Sequence, residues 1–425
     1  MSATHKISLK SAILMNLNIM AGAGIFVNIV DLTRELGLLG GLLYLGVGLF
    51  MFPLIFTFAQ LVKVYPEGGF YAFARPISPF LAFISTWTYF FGKLASASLL
   101  LHVATTFLQK LFPTVFGVLP ALVIDLAILA IFMVLNSLNL RIGILIQNCF
   151  FAAKSIPLLL LIGLGIYKFD VNLLENFEPI SIFNFVFMLP IVLYCFSGFE
   201  SACSISRNIE NASKNAPKAI FYSFFSIISI YVIFQTVVAM MLTPKIAIMV
   251  NYTDAFPYLT SLMPITPWIQ TKMATAISFF IGFSAMGAAY GLLFSNAWNL
   301  YTLAQHGHTF GAQSLAKLNR HGIPLYAVLV EGAVCCLFLV ITGGAKIPLQ
   351  QTSTLGCTIT YTISSIAFLV LAIGSRFTGL LSLLTCSGFI IACVMSAIKY
   401  NFTSLYLFGI MLAVGLFMYF CYSKK

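Results

Sequence analysis

Twelve apolar stretches divide this 425-residue chain at about 11–30, 38–62, 79–110, 118–138, 142–167, 182–206, 217–243, 272–304, 323–342, 350–373, 378–398 and 402–422. Most reach the ~20 residues that a helix needs to cross a bilayer. Inside hydrocarbon every backbone N–H and C=O must be bonded within the spanning structure, so only helices and closed barrels qualify. Barrel strands alternate apolar and polar residues over runs of about ten, and these stretches do not. Charged residues make up only 8% of the chain, against about a quarter in soluble domains. The expected fold is therefore an all-α polytopic membrane protein with twelve transmembrane helices. The connections are short, which leaves a single transmembrane domain over 1–425.

The net charge of +11 does not point to nucleic acid, because of where the cations fall. With the N-terminus in the cytoplasm, thirteen Lys and Arg lie on the cytoplasmic side, Lys424 and Lys425 among them, and seven lie on the other. That bias places both termini inside. Lys93 and Lys154 are left within spans. The nine cysteines are scattered without metal-ligand spacing and read as small apolar filler. Ala21-Gly22-Ala23 imitates a signal-peptidase site after a short apolar run. The apolar run continues through Ile25–Val30, so the segment is expected to be a retained span.

Span 1 is interrupted by Ala21-Gly22-Ala23-Gly24. Five spans later, Phe196-Ser197-Gly198-Phe199-Glu200-Ser201 interrupts span 6 at a matching place. An odd number of spans per half makes the two halves run in opposite directions. Paired interruptions in such halves point to an inverted-repeat transporter with its site at the midplane. The halves are expected at 11–167 (spans 1–5) and 182–373 (spans 6–10), with accessory helices over 378–422. A broken helix exposes N–H groups carrying the positive end of its dipole, which suit a carboxylate. In hydrocarbon such a break is tolerated only around a cavity or ligand.

In order along the chain, five motifs resemble those of the amino acid–polyamine–organocation transporter superfamily. AGAGIF in span 1 is similar to its (I/A)G(A/S)GIF. The loop Tyr65-Pro66-Glu67-Gly68-Gly69-Phe70-Tyr71-Ala72 resembles YPEAGGPYAY. QNCFFAAKSIPLLL in span 5 resembles QN…KLxPLLL, and FSGFESACSISRNIENASKNAPKAI resembles FSGFExxxxxxEEVKNPxRxxPxAI. LYTLAQHGHTF at the end of span 8 resembles LYALARDGxLP. The resemblance runs from residue 10 to about 325.

The resemblance implies an amino acid transporter working by alternating access, with spans 1 and 6 rocking against spans 3 and 8. It implies that the N–H groups of Ala23 and Gly24 take the substrate carboxylate. The carbonyls of Ala21, Tyr194 and Ser197 would take the α-ammonium, with Gly22 and Gly198 letting the backbone turn. Tyr194 could lie over the ligand as an aromatic lid. Many relatives carry Ser where Ala23 stands, so no side-chain hydroxyl is expected there.

Lys154 lies ~13 residues from Arg141, or ~20 Å along a helix. That is near mid-membrane, where a charge is expensive. The resemblance implies that it carries the coupling proton, with the alternative of an acid-paired structural lysine. Glu200 follows the span 6 break, a position the family links with gating and pH sensing; the alternative is a structural bond to freed backbone. Lys93 departs from the family, which often has a small polar group after that glycine. It could meet an acidic substrate, neutralise Glu200 or Asp125, or act as a tethered cation that excludes basic substrates.

Asp125 and Glu331 are expected to be structurally paired, and the loop carrying His306, His308 and His321 is expected to be solvated. No interfacial cluster of His, Asp and Glu suggests an enzyme. No cofactor is expected beyond a coupling ion, H⁺. The expected partners are an amino acid and the lipid bilayer, with monomer and homodimer both open. An amino acid exchanger and a non-transporting amino acid sensor on the same fold are the alternatives. Compact loops suggest a bacterial inner membrane.

Overall fold

The computed structural model describes residues 6–67, 69–138, 140–169, 181–400 and 402–422. Gly68 of the second motif and the terminal Lys424 and Lys425 lie outside these residues. Among the described residues every regular element is a helix, and the single β-bridge joins Ile7 to Ile209.

In chain order the first helices are α1 (Leu9–Met20), α2 (Gly24–Val27), α3 (Ile29–Leu36), α4 (Gly40–Phe50), α5 (Phe52–Val64) and α6 (Gly69–Ala74). Then come α7 (Pro79–Leu111), α8 (Ala121–Asn136), α9 (Leu140–Tyr167), α10 (Ile182–Phe196), α11 (Ser201–Ser204), α12 (Ala212–Leu242) and α13 (Tyr252–Ser261). The remainder are α14 (Pro267–Gln305), α15 (Ala312–Leu315), α16 (Leu325–Thr342), α17 (Lys346–Val370), α18 (Arg376–Tyr400) and α19 (Thr403–Tyr422). Among the described residues, ten helical stretches are long and apolar enough to cross a membrane; α5, α8 and α10 are apolar but shorter.

The local chemistry explains where the elements depart from the sequence expectation. The first apolar segment runs on past residue 30, through the polar α3, and stops at Gly37, whose φ of 51° ends the helix. The second is bent at Met51, because Pro53 has no N–H to continue the ladder. The stretch between the seventh and eighth segments is expected as loop, yet it contains α13. Its start is a capping box in which the Asn251 N–H donates to Asp254 Oδ2 at 3.0 Å.

α7 and α14, of 33 and 39 residues, are the longest elements, ~50 and ~58 Å at 1.5 Å per residue. They pack against each other, and α17 packs along α7. α1 and α12 pack together beside them. Ile410, Phe417 and Phe420 on α19 are 61%, 65% and 74% exposed. That much apolar surface on a long apolar helix is surface for lipid. By contrast the interior holds two lysines: Lys93 is 1% exposed and Lys154 is 2% exposed.

Candidate functional site

α1 ends at Met20, and Ala21 caps it by donating its N–H to the Leu17 carbonyl. Gly22 and Ala23 carry the chain to α2. A Cβ on Gly22 would lie 2.8 Å from Ala288 Cβ of α14, so glycine lets the break press against that helix. The N–H groups of Ala23 and Gly24 make no hydrogen bond with a described residue, as expected for the start of a new helix.

The second break follows α10. Ser197 is extended, and Gly198 has a φ of 132°, a conformation open essentially to glycine alone. A Cβ there would also lie 2.7 Å from Ile19 of α1. The two interruptions are neighbours: a Cβ on Gly24 would lie 3.2 Å from Cys195 Sγ and 3.4 Å from the Tyr194 ring. Tyr194 is buried, and its hydroxyl accepts a 3.0 Å bond from Ser96 of α7.

Backbone carbonyls freed by the breaks are held by side chains from other helices. Lys154 Nζ, on α9, donates to the Asn18 carbonyl at 2.6 Å and lies 3.5 Å from that of Ser284. The Tyr231 hydroxyl of α12 is 2.5 Å from the Met20 carbonyl and 3.0 Å from that of Cys195, so one proton serves both broken helices. Asn16 Nδ2 donates to the Phe199 carbonyl at 2.8 Å. Ser284 Oγ approaches the Ala21 carbonyl at 3.4 Å. The side chain of Asn18 joins Gln147 of α9 and the Gly287 carbonyl of α14. Asn16, Asn18, Tyr231 and Ser284 were not singled out from the sequence, and Gln147 entered only as the first residue of the span 5 motif. Asn16 and Asn18 left a signal, two amides in an apolar span just before AGAG.

No acid pairs with Lys154 among the described residues, so an acid-paired structural lysine is not what the structure shows. Lys93 does pair: its Nζ is 2.6 Å from Glu200 Oε1 and donates to Ser197 Oγ at 2.5 Å. Glu200 Oε2 accepts the Gly198 N–H at 3.0 Å. Of the alternatives open for Lys93, neutralising Glu200 is realised and neutralising Asp125 is not. Asp125 instead meets His102, Nδ1 to Oδ2 at 2.9 Å.

Two expectations are corrected. Glu331 lies beside Asn296 and makes no ion pair among the described residues. His306 and His308 are not in a solvated loop. His306 stacks on Tyr71 with 4.1 Å between centroids, and His308 Nε2 is 2.7 Å from the Tyr71 hydroxyl and stacks on Tyr419. Burial and the nearby charge of Arg75 push His306 down to about 4 and lower His308. His321 is exposed. No group of three His, Cys, Asp or Glu among the described residues could hold a metal ion.

A cavity of about 170 Å³ lies among α3, α10, α17 and α18, lined by Asp31, Arg34, Glu35, Gln350, Gln351 and Tyr400 among others. Lys346 of α17 pairs with Asp31 of α3 at its edge. Gln350 Nε2 donates to Asn28 Oδ1 at 3.1 Å, and Asn28 in turn lies against Cys195 Sγ beside Gly24. The cavity is thus two side chains away from the breaks.

The family described as "Amino acid permease" matches residues 7–423. Among similar proteins is the b(0,+)-type amino acid transporter 1 of Oryctolagus cuniculus, 23% identical over 363 residues, 80% of this chain and 70% of that protein. The amino-acid permease RocE of Bacillus subtilis is 25% identical over 77% of this chain and 71% of its own length. The aromatic amino acid permease FywP of Lactococcus lactis is 24% identical over 86% and 83%. The chain belongs to the amino acid permease family.

Proposed function

We propose that this member of the amino acid permease family is a secondary active amino acid transporter, coupled to protons and working by alternating access. Its twelve spans form a five-plus-five inverted repeat, with halves at 11–167 and 182–373 and two accessory helices over 378–422. Both termini are cytoplasmic, and the membrane is that of a bacterial cell. The observation that carries this is the meeting of two broken helices at Gly24 and Tyr194, with the Lys154 ammonium on a carbonyl just before one break.

The unbonded N–H groups of Ala23 and Gly24 present a partial positive charge, which favours a carboxylate. On the opposite side, the carbonyls of Ala21, Tyr194 and Ser197 favour an ammonium. A zwitterion is therefore held by main chain alone, at the boundary between an α1–α10 bundle and an α7–α14 scaffold. Lys154 donates to Asn18 only as long as it keeps its place on α9 opposite α1. Loss of its proton turns a charge-assisted hydrogen bond into a weaker neutral one, leaving Asn18–Gln147 as the other tie between α1 and α9, and this links protonation to the position of the bundle.

The test is uptake of labelled amino acids into proteoliposomes, with and without an imposed inward proton gradient. Gradient-stimulated uptake of at least one amino acid is expected. Uptake that appears only when the vesicles are preloaded with amino acid would make the protein an exchanger. Ligand-induced stabilisation with no flux in either format would make it a sensor.

A further inference from the structure

The Lys93–Glu200 pair has a feature that a purely structural ion pair in a membrane protein does not require. It joins a scaffold helix, α7, to the non-helical turn of α10–α11, where the ammonium reaches two side-chain oxygens. Lys93 Nζ is 2.6 Å from Glu200 Oε1 and 2.5 Å from Ser197 Oγ, and it lies 5.1 Å from the Tyr89 ring centroid. Glu200 Oε2 is occupied by the Gly198 N–H. Lys93 and Glu200 are buried, at 1% and 0% side-chain exposure. Ser197 lies between the lysine and the break, and its Oγ also reaches Cys357 Sγ of α17 at 3.7 Å.

Without Lys93, the span 6 break would hold a buried carboxylate with no counter-ion. Such a site takes up a cation or a proton to relieve its charge, and the side chain of a bound basic amino acid would supply the cation. With Lys93 in place the carboxylate is already neutralised. No other acid pairs with either residue among the described residues. A second ammonium would meet Lys93 with nothing to balance it, and like charges in a desolvated site are strongly disfavoured. An acidic side chain fares no better, because the charge of Lys93 is committed to Glu200.

We propose that Lys93 is a built-in counter-ion that occupies the position a basic substrate side chain would take, so that the carried amino acids have uncharged side chains. Lysine, ornithine and arginine are excluded by the lysine of the protein itself. This rests on the transporter site described above and names its substrate class.

The experiment is ligand-induced thermal stabilisation of the purified full-length protein, run with uncharged, acidic and basic amino acids and with ethylammonium. Wild type is expected to be stabilised by one or more uncharged amino acids and not by lysine, ornithine or arginine. Lys93→Ala is expected to gain binding of ornithine or lysine, roughly 10-fold or more tighter than wild type, and to be stabilised by ethylammonium. Lys93→Ala/Glu200→Gln is expected to lose that gain, since the carboxylate that attracts the cation is gone.

Stabilisation of wild type by basic amino acids as strong as by uncharged ones overturns the proposal. So does a folded Lys93→Ala that gains nothing, or a double variant that keeps the gain. If Lys93→Ala does not fold alone, purification in the presence of ethylammonium decides the matter: rescue supports the counter-ion role and no rescue overturns it. A wild type that binds no amino acid at all sinks the transporter reading, while ethylammonium rescue of Lys93→Ala still reports separately on the cation exchange.

Discussion

The ammonium of Lys154 sits 2.6 Å from the carbonyl oxygen of Asn18, three residues before the chain of α1 gives way at Ala21. A buried amine in this position is bonded to main chain and not to an acid, so its charge is compensated only by carbonyl dipoles. That is a weak hold for an ammonium out of water, and it is the observation behind the proposal that Lys154 carries the coupling proton.

Lys154→Met removes a charged hydrogen bond, worth ~1.5–3 kcal/mol, and with it the proposed proton carrier. Gradient-driven uptake in proteoliposomes should fall by roughly 10-fold or more, while exchange between amino-acid-loaded vesicles and labelled amino acid outside should persist. If the variant concentrates substrate under a proton gradient as well as wild type does, Lys154 is not the coupling site.

Breaking the Lys93–Glu200 pair from one side leaves the other charge buried and alone, which typically costs ~3–5 kcal/mol. Glu200→Gln and Lys93→Met should each lower the melting temperature of the purified protein markedly. Lys93→Met/Glu200→Gln should lie well above the sum of the two losses, because neither charge remains. Additive losses would mean that the two residues do not act as a pair.

The two breaks and the two membrane lysines were legible in the sequence because each is costly in hydrocarbon, and only a site explains such a cost. Partners were not legible. Lys93 had three candidate roles, and choosing Glu200 required knowing which face of α7 turns toward the span 6 break, more than a hundred residues away. Tyr231 looks like one aromatic among many until its hydroxyl is found between two broken helices. The histidines after span 8 sit in a loop with no acidic residue beside them, so the sequence suggested solvent. Their covering rings, Tyr71 and Tyr419, come from opposite ends of the chain. Glu331 shows the converse: an intramembrane acid suggests an ionic partner, and none is there among the described residues.

Gly24 and Gly198 should separate binding from folding. Gly198 has a φ of 132° and Ile19 at 2.7 Å from a built Cβ. Gly198→Ala should therefore destabilise the protein by roughly 1–3 kcal/mol from backbone strain alone, seen as a lower melting temperature without ligand. Gly24 has ordinary dihedrals, and its built Cβ meets Cys195 Sγ at 3.2 Å and the Tyr194 ring at 3.4 Å. Gly24→Ala should lower the melting temperature less than Gly198→Ala does, yet weaken amino acid stabilisation, because the methyl group presses on Cys195 and Tyr194 where the two breaks meet. A Gly24→Ala protein that binds amino acids as wild type does would remove those N–H groups from the site.

His306 gives a pH dependence whose sign can be worked out. Burial, with the charge of Arg75 adding to it, holds its folded pKa down at about 4, against 6.5 for the free side chain. The folded state thus keeps this imidazole neutral where the unfolded chain would protonate it. Its contribution to stability is fully present above about pH 6.5 and declines as the pH falls from there toward 4, since the unfolded state takes up more protons across that window. His308, also lowered, acts in the same direction. His306→Phe keeps a ring against Tyr71 and removes the titration. The melting temperature of wild type should fall between pH 6.5 and 4 more steeply than that of His306→Phe, and the two should respond alike to pH above 7. Equal slopes below pH 6.5 would mean that His306 protonates as freely in the folded protein as in the unfolded chain.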